Sequence, residues 1–186
     1  MTDLQTKGIR LTPATIDRLD AEDISGGAIS HLIGVAAPAS WPPPFNGPET
    51  REWMRRELVA DPANAGWLGW YIIATIDGEA TLVGTAGYKG PPGESREVEI
   101  GYSIVPDYHR RGIASVSVRL LCGRAFAAGV RAVLAETLPD GTASQGVLAK
   151  AGFAKTGTRI DSEDGDVWCY RLEGSARAGQ DPPGSV

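Results

Sequence analysis

The spacing of apolar residues alternates along the chain between the period of a strand and the period of a helix. Short runs rich in β-branched and aromatic residues, such as WLGWYIIATI, are typical of strands, whereas apolar positions three and four apart after residue 112 indicate a long helix. Strands are predicted over residues 9–12, 67–76, 81–88, 96–105, 131–138, 155–160 and 167–172. Helices are predicted over residues 15–35, with a break near Gly26-Gly27, and over residues 49–59, 112–128 and 142–151. The predicted order is β-α-α-β-β-β-α-β-α-β-β.

Glycines mark where several of these elements end or bend. Asp77-Gly78 is a strong hairpin signal between two strands. Gly129 and Gly152 stand where a left-handed residue would close the preceding helix. Gly84 and Gly87 lie inside a strand, which suggests a bulge or the close approach of another backbone.

The composition is that of one globular domain. Hydrophobic residues make up 42% and charged residues 22% of the 186 positions, far from the composition of disordered chains. A chain of this length buries an adequate core without disulfides or metals. We expect residues 1–173 to form the domain and the Pro/Gly-rich residues 174–186 to be a disordered tail.

Charge and cysteine usage narrow the class of partner. A net charge of −5 argues against a general nucleic-acid binder, which needs clustered Lys and Arg, and weakly favours a cationic partner. Cys122 and Cys169 have no further ligands at metal spacing, so we expect free thiols, no metal and a reducing compartment. The chain has no signal-peptide core and no apolar run of about eighteen residues. We therefore expect a soluble, cytoplasmic protein that does not bind membranes.

The passage EVEIGYSIVPDYHRRGIAS predicts an anion site. A strand ends before Pro106, a basic turn follows, and Gly112 opens the long helix. The first N–H groups of a helix have no internal acceptor and lie at its positive end, so they can bind a pyrophosphate. Gly112 removes the side chain that would block this approach, while Arg110 and Arg111 add positive charge. A basic pair before a helix is also compatible with an ordinary solvated turn.

The same passage resembles motif A of the GNAT acetyltransferases, in which a (Gln/Arg)-x-x-Gly-x-(Gly/Ala) turn holds the diphosphate of acetyl-CoA. Gly112 and Ala114 match this motif, whereas His109 stands where Gln or Arg is usual. The segment AETLPDGTASQGVLAKAGF contains a match to the family's motif B helix, with Gly141 where an Asn is usual in the branch of the ribosomal-protein N-terminal acetyltransferases. That branch is the one the pattern resembles most, over roughly residues 9–172.

The resemblance implies an α/β (α+β) fold, with a central mixed, mostly antiparallel sheet splayed at the cofactor site and helices on both faces. It implies that acetyl-CoA is the co-substrate and that its pantetheine arm bonds to the main chain of Ser103, Ile104 and Val105. The residues expected at the diphosphate are Arg110, Arg111, Gly112, Ile113, Ala114 and Ser115. The acetyl group is expected beside Glu99, Tyr102 and Ser144.

Acetyl transfer to an amine needs a neutral nucleophile, an oxyanion donor and a proton for the leaving thiolate. Glu99 is the candidate base, acting directly or through water, although a solvent-facing strand residue is the competing interpretation. An N–H near Val105 is the candidate oxyanion donor. Ser144 is the candidate proton donor to the CoA sulfur, or else an ordinary residue in the first turn of its helix.

Other residues have open roles at this level. Trp41, Phe45 and Trp53 either build the acceptor side of the cleft or cover the sheet. Glu136 faces either the acceptor channel or an arginine, and Cys122 is a core residue by helical period, which disfavours an acyl-cysteine route.

The predicted function is transfer of acetyl to a protein N-terminus, a polyamine or an aminoglycoside-like amine, with homodimerisation possible. A GNAT-like acyl-CoA sensor without catalysis is the alternative.

Overall fold

One mixed sheet of eight strands runs through the described part of the chain in the computed structural model, which comprises residues 2–6, 8–162 and 165–174. The strands are β1 (Leu4–Thr6), β2 (Ile9–Pro13), β3 (Gly69–Ile76), β4 (Glu79–Tyr88), β5 (Glu97–Ile104), β6 (Ala132–Thr137), β7 (Ala154–Asp161) and β8 (Gly165–Glu173). Their spatial order is β1-β2-β3-β4-β5-β6-β8-β7, and β5–β6 is the parallel pair while the others are antiparallel. Apart from Gly174, the expected tail lies outside the described residues.

Helices cover both faces of this sheet, as expected. They are α1 (Ile16–Ile24), α2 (Gly26–Ile33), α3 (Pro48–Ala60), α4 (Ile113–Ala127) and α5 (Thr142–Ala151). One buried cluster joins α1, α2 and α3 to β3 through Leu19, Ile29 and Met54. A second cluster joins α4 and α5 to the opposite face through Leu121 and Leu148, both fully buried. None of the helices in the described ranges is long and apolar enough to cross a bilayer.

The sheet is splayed on one side of β5. Residues 100–104 of β5 pair with β4, but only residues 97–99 pair with β6. Beyond that point β5 and β6 are no longer paired, so the β6-facing groups of β5 are left without a strand partner. The expected splay is therefore confirmed.

Local backbone geometry follows the glycine signals. Asp77 and Gly78 have φ of +51° and +90°, as a tight hairpin turn requires, and Gly129 and Gly152 close α4 and α5 at φ of +87° and +92°. A Cβ on Gly84 would lie 2.3 Å from a backbone oxygen, which confirms the close approach expected there.

The predicted helix over residues 15–35 is two helices, because the side chain of Ser25 accepts the Ala28 N–H at 3.0 Å and starts α2. The three-residue β1 was not predicted, since so short a strand shows no period.

Candidate active site

The turn before α4 is shaped to bind an anion. Arg110 and Gly112 both adopt left-handed backbone conformations, with φ of +62° and +78°. The helix then begins with a bond from the Val116 N–H to the Gly112 carbonyl at 3.2 Å. The N–H groups before Val116 have no intrahelical acceptor, and a Cβ on Gly112 would meet nothing within 4 Å, so the space above the helix end is open.

A side-chain hydrogen bond of His109 connects this turn to the end of β5. Its Nε2–H donates to the Ile104 carbonyl at 2.7 Å. The guanidinium of Arg111 lies 5.6 Å from the centre of the Tyr108 ring. The departure at His109 is therefore structural here, because the imidazole contacts the protein's own backbone and ties the turn to the strand.

A cleft of about 830 Å³ runs from this turn to the first turn of α5. Its size is that of a pocket for a large organic ligand. It is lined by the predicted residues Tyr102, Ser103, Ile104, Arg110, Arg111, Gly112, Ile113, Ala114, Ser115 and Ser144. Lys150 of α5 adds a further cation to this lining. Glu99 and Val105 are the two predicted site residues that do not line the cleft.

The hydrogen bonds of β5 correct two of the expected main-chain contacts. The Val105 N–H donates to the Val83 carbonyl at 2.9 Å, and Val105 is fully buried. The Lys89 N–H donates to the Glu99 carbonyl at 2.9 Å. Because antiparallel pairs alternate, the residues of β5 at odd positions from Glu99 to Val105 bond to β4. The groups that face the open gap are those of Tyr102 and Ile104, so Ser103 and Val105 are wrongly placed as main-chain donors.

Tyr102 bridges β5 and α5 at the splay. Its hydroxyl donates to the Ser144 carbonyl at 3.2 Å, and burial raises the pKa of Tyr102 to about 12. Tyr102 therefore carries its proton at neutral pH. The structure brings the predicted Tyr102 and Ser144 together at one point of the cleft.

A second cavity of about 250 Å³ lies between α3 and the face of the sheet opposite α4. The cavity and the cleft share Phe45, Tyr102 and Ser103 in their linings, so the two spaces meet there. Trp53 also lines the cavity, whereas Trp41 packs against Tyr71, with ring centres 6.2 Å apart. Phe45 and Trp53 thus line the candidate acceptor space, whereas Trp41 packs against Tyr71, which is one of the residues that line it.

Glu99 lies at the edge of this cavity rather than inside it. Its carboxylate forms an ion pair with Lys89, whose side chain lines the cavity, and the Glu99 side chain is 25% exposed. Lys89 and Glu99 are direct cross-strand neighbours, so both side chains lie on the cavity face of the sheet. Glu99 therefore lies on the cavity face of the sheet, and its ion pair with Lys89 separates it from the cavity.

Sequence reasoning missed Glu22, a carboxylate on α1 that organises the acceptor side. It is 6% exposed and accepts hydrogen bonds from Trp41 Nε1 at 3.0 Å, Asn46 Nδ2 at 2.7 Å and the Tyr71 hydroxyl at 2.8 Å. Burial raises the pKa of Glu22. The available signal was its spacing, since Glu22 is three residues after the buried Leu19 on the same helical face.

The remaining candidate residues, Glu136 and Cys122, line neither the cleft nor the cavity. Glu136 faces an arginine, because Arg159 binds both of its carboxylate oxygens at 2.6 Å. Cys122 is 4% exposed, and burial raises the pKa of its thiol to about 12, as expected for a core residue. The described residues contain no group of three or more His, Cys, Asp or Glu side chains that could hold a metal ion.

Comparisons with known proteins agree with this geometry. The uncharacterized N-acetyltransferase YjdG of Bacillus subtilis is 28% identical over 153 residues, which are 81% of this chain and 88% of that protein. The uncharacterized N-acetyltransferase YoaA of the same organism is 36% identical over 77 residues, which are 41% of this chain and only 44% of that protein.

Solved structures share the fold at low identity. A RimL ribosomal L7/L12 alpha-N-protein acetyltransferase in complex with coenzyme A has a TM-score of 0.66 at 16% identity, covering 92% of this chain and 98% of that one. The ribosomal-protein-S5-alanine acetyltransferase from Vibrio fischeri has a TM-score of 0.66 at 17% identity, covering 95% and 98%. The microcin C7 self immunity acetyltransferase MccE, in complex with acetyl-CoA and AMP, has a TM-score of 0.60 at 17% identity, covering 90% and 93%.

The family itself is established by a broader match. A family model for the acetyltransferase (GNAT) domain matches residues 9–154, from β2 through α5 to the start of β7. This range includes the turn before α4, the splay and the sheet residues that line the cleft and the cavity. The chain therefore belongs to the GNAT acetyltransferase family.

Proposed function

We propose that this protein is an N-acetyltransferase that transfers the acetyl group of acetyl-CoA to a primary amine, either a protein N-terminus or a small-molecule amine, by direct attack in a ternary complex. The observation that carries the proposal is the meeting of the long cleft with the cavity under α3, at Phe45, Tyr102 and Ser103. Two substrates in these spaces would place their reacting ends at one point.

CoA is proposed to lie along the cleft. The diphosphate would lie on the free N–H groups of Ile113, Ala114 and Ser115, beside Gly112, with charge attraction from Arg110 and Arg111. The pantetheine amides would bond to the gap-facing main chain of Tyr102 and to the Ile104 N–H, as an added strand does at an open edge, since the Ile104 carbonyl already accepts from His109. Ser103 lines the same cleft, although its main chain pairs with β4.

Acetyl-CoA supplies an activated thioester, and the protein must stabilise the oxyanion and protonate the leaving sulfur. The N–H groups of β5 that face the gap are suited to the oxyanion because no strand bonds to them. The Tyr102 hydroxyl is a proton donor at neutral pH, since burial raises its pKa to about 12. The Ser144 hydroxyl lines the same part of the cleft and is the second candidate donor.

Direct attack is favoured over an acyl-cysteine intermediate. Neither described cysteine is activated as a thiolate nucleophile, because burial raises the pKa of both the Cys122 and the Cys169 thiol. Neither residue lines the cleft or the cavity.

Glu99 is proposed to accept the amine proton through water, because its carboxylate shares the acceptor face with the cavity but does not line it. Glu99→Gln is expected to lower kcat by at least ~10-fold, towards the ~100-fold typical of a lost general base, with CoA affinity unchanged. Steady-state kinetics and a CoA titration measure both effects.

Glu97→Gln is the matched control for this variant. Glu97 lies on the same face of β5, but Arg131 and Arg171 bind it at 2.8 Å and 2.9 Å, away from the cavity. We expect this variant to keep the wild-type rate. An unchanged rate in Glu99→Gln itself would remove Glu99 from the chemistry.

The direct test of the enzyme proposal is thiol release from acetyl-CoA against N-terminal peptides, polyamines and aminoglycosides, beside a CoA-binding titration. Turnover with any amine supports the proposal. Tight CoA binding without turnover across the panel would favour an acyl-CoA sensor, the alternative that the departures at His109 and Gly141 suggest.

A further inference from the structure

A row of three glycines lies on the sheet beneath the acceptor cavity. Gly69, Gly87 and Gly101 stand directly opposite one another on β3, β4 and β5, and all three line the cavity. A Cβ on Gly69 would lie 2.4 Å from the Met54 sulfur, so that end of the row is closed by α3. A Cβ on Gly101 would meet nothing within 4 Å, so the cavity there extends down to the backbone.

The walls above this floor are mostly apolar, although Thr50, Thr85 and Ser103 also line the cavity. Trp53 and Met54 reach the cavity from α3, and Phe45 reaches it from the preceding loop. Tyr71 and Asn46 also line it, but the Tyr71 hydroxyl and the Asn46 amide donate to the buried carboxylate of Glu22. Their polar ends are therefore occupied, and burying an apolar group against them leaves no hydrogen bond unmade.

Charge and size limit the occupant further. Among the described residues, Lys89 is the charged side chain that lines the cavity, and Glu99 neutralises it in an ion pair. A second ammonium group inside the cavity would find no unpaired carboxylate in the lining. The volume of about 250 Å³ lies below the range of about 300–1,000 Å³ for pockets of drug-sized ligands, so it suits a compact group such as benzyl or the smaller isobutyl.

We infer that the acceptor is a primary amine bearing one compact apolar group beside the amine, and that the cavity binds this group over the bare floor at Gly101. The inference rests on the proposed function and narrows its substrate class. A peptide whose first residue is Phe or Leu and a free arylalkylamine share this chemistry. Polyamines and aminoglycosides do not, because each carries further cations.

The test compares kcat/KM for four acceptors: a peptide beginning with Phe, the same peptide beginning with Ser, phenethylamine and spermidine. The Phe peptide or phenethylamine is expected to exceed both the Ser peptide and spermidine by at least ~10-fold, the lower range for one apolar group in a pocket. Which of the two is preferred distinguishes a protein N-terminus from a free amine.

Gly101→Val adds a side chain to the cavity from below, since a Cβ at this position meets nothing within 4 Å, and valine is favoured in strands. It is expected to lower kcat/KM for the preferred apolar acceptor by at least ~10-fold, with CoA affinity unchanged. Gly157→Val is the control, since Gly157 is also an exposed strand glycine with nothing within 4 Å of its Cβ but lies on β7. This control should behave as wild type.

The outcomes distinguish the acetyltransferase function from the inferred preference for an apolar acceptor. Best turnover with spermidine or the Ser peptide, or an equal loss for all acceptors in Gly101→Val, overturns the inference while the acetyltransferase function stands. No turnover with any amine overturns both. Selective loss of the apolar acceptor in Gly101→Val, with the control unchanged, supports both.

Discussion

Replacement of Gly112 by glutamate is expected to lower the affinity for CoA by at least ~100-fold, or ~3 kcal/mol, while the protein remains folded. The new carboxylate would stand at the end of α4 where the diphosphate is proposed to lie, and it would repel that group. A Cβ at this position meets no protein atom within 4 Å, so steric conflict does not unfold the chain. The positive φ of +78° adds a strain of about 1–2 kcal/mol. Isothermal titration with CoA and thermal unfolding measure the two effects separately.

Two control variants separate charge from strain. Gly112→Gln carries the same backbone strain without the charge, so its CoA affinity should fall much less. Gly129→Glu carries charge and strain at φ of +87°, also with nothing within 4 Å, but at the opposite end of α4. It should bind CoA as wild type does. Wild-type CoA affinity in Gly112→Glu would show that the diphosphate lies elsewhere.

Replacement of Tyr102 by phenylalanine is expected to lower kcat by about 100-fold with little change in CoA affinity. The lost hydroxyl is protonated at neutral pH, and Tyr102 is one of the residues that line both the cleft and the cavity. Its bond to the Ser144 carbonyl at 3.2 Å is also lost, at a cost of about 1 kcal/mol of stability. Single-turnover kinetics with saturating acetyl-CoA measure the chemical step.

Tyr170→Phe is the matched control, because Tyr170 is a buried tyrosine of β8 that lines neither space. Its rate should equal that of wild type. A Tyr102→Phe enzyme with a normal rate would leave Ser144 as the remaining proton donor. A fall in CoA affinity as large as the fall in kcat would make Tyr102 a structural bridge between β5 and α5 only.

Periodicity and turn signals were enough to predict most of the fold. Alternation and β-branched content located β3 to β8 because these strands are long and bounded by Gly or Pro, and the hairpin at Asp77-Gly78 adopts the left-handed geometry that its residues favour. The geometry of the turn before α4 was predictable for the same reason. A strand, a turn and a glycine at a helix start are consecutive in the chain, so their arrangement in space is local.

Features that depend on register or distant contacts were not predictable. Which main-chain groups of β5 face the gap follows from its pairing with β4, and one residue of register decides between Ser103 and Tyr102. The ion pair of Glu99 with Lys89 depends on the same pairing. Glu22 meets Tyr71 across 49 positions of sequence, and no spacing rule connects them.

The central claim is that the cleft and the cavity hold acetyl-CoA and an amine at the same time, with their reacting ends at Tyr102 and Ser103. The most direct measurement is a matrix of initial velocities in which both substrates are varied. Intersecting lines in the double-reciprocal plot are predicted, because both substrates must be bound before the acetyl group moves. Parallel lines would contradict the account, because they indicate an acetylated enzyme formed before the amine binds.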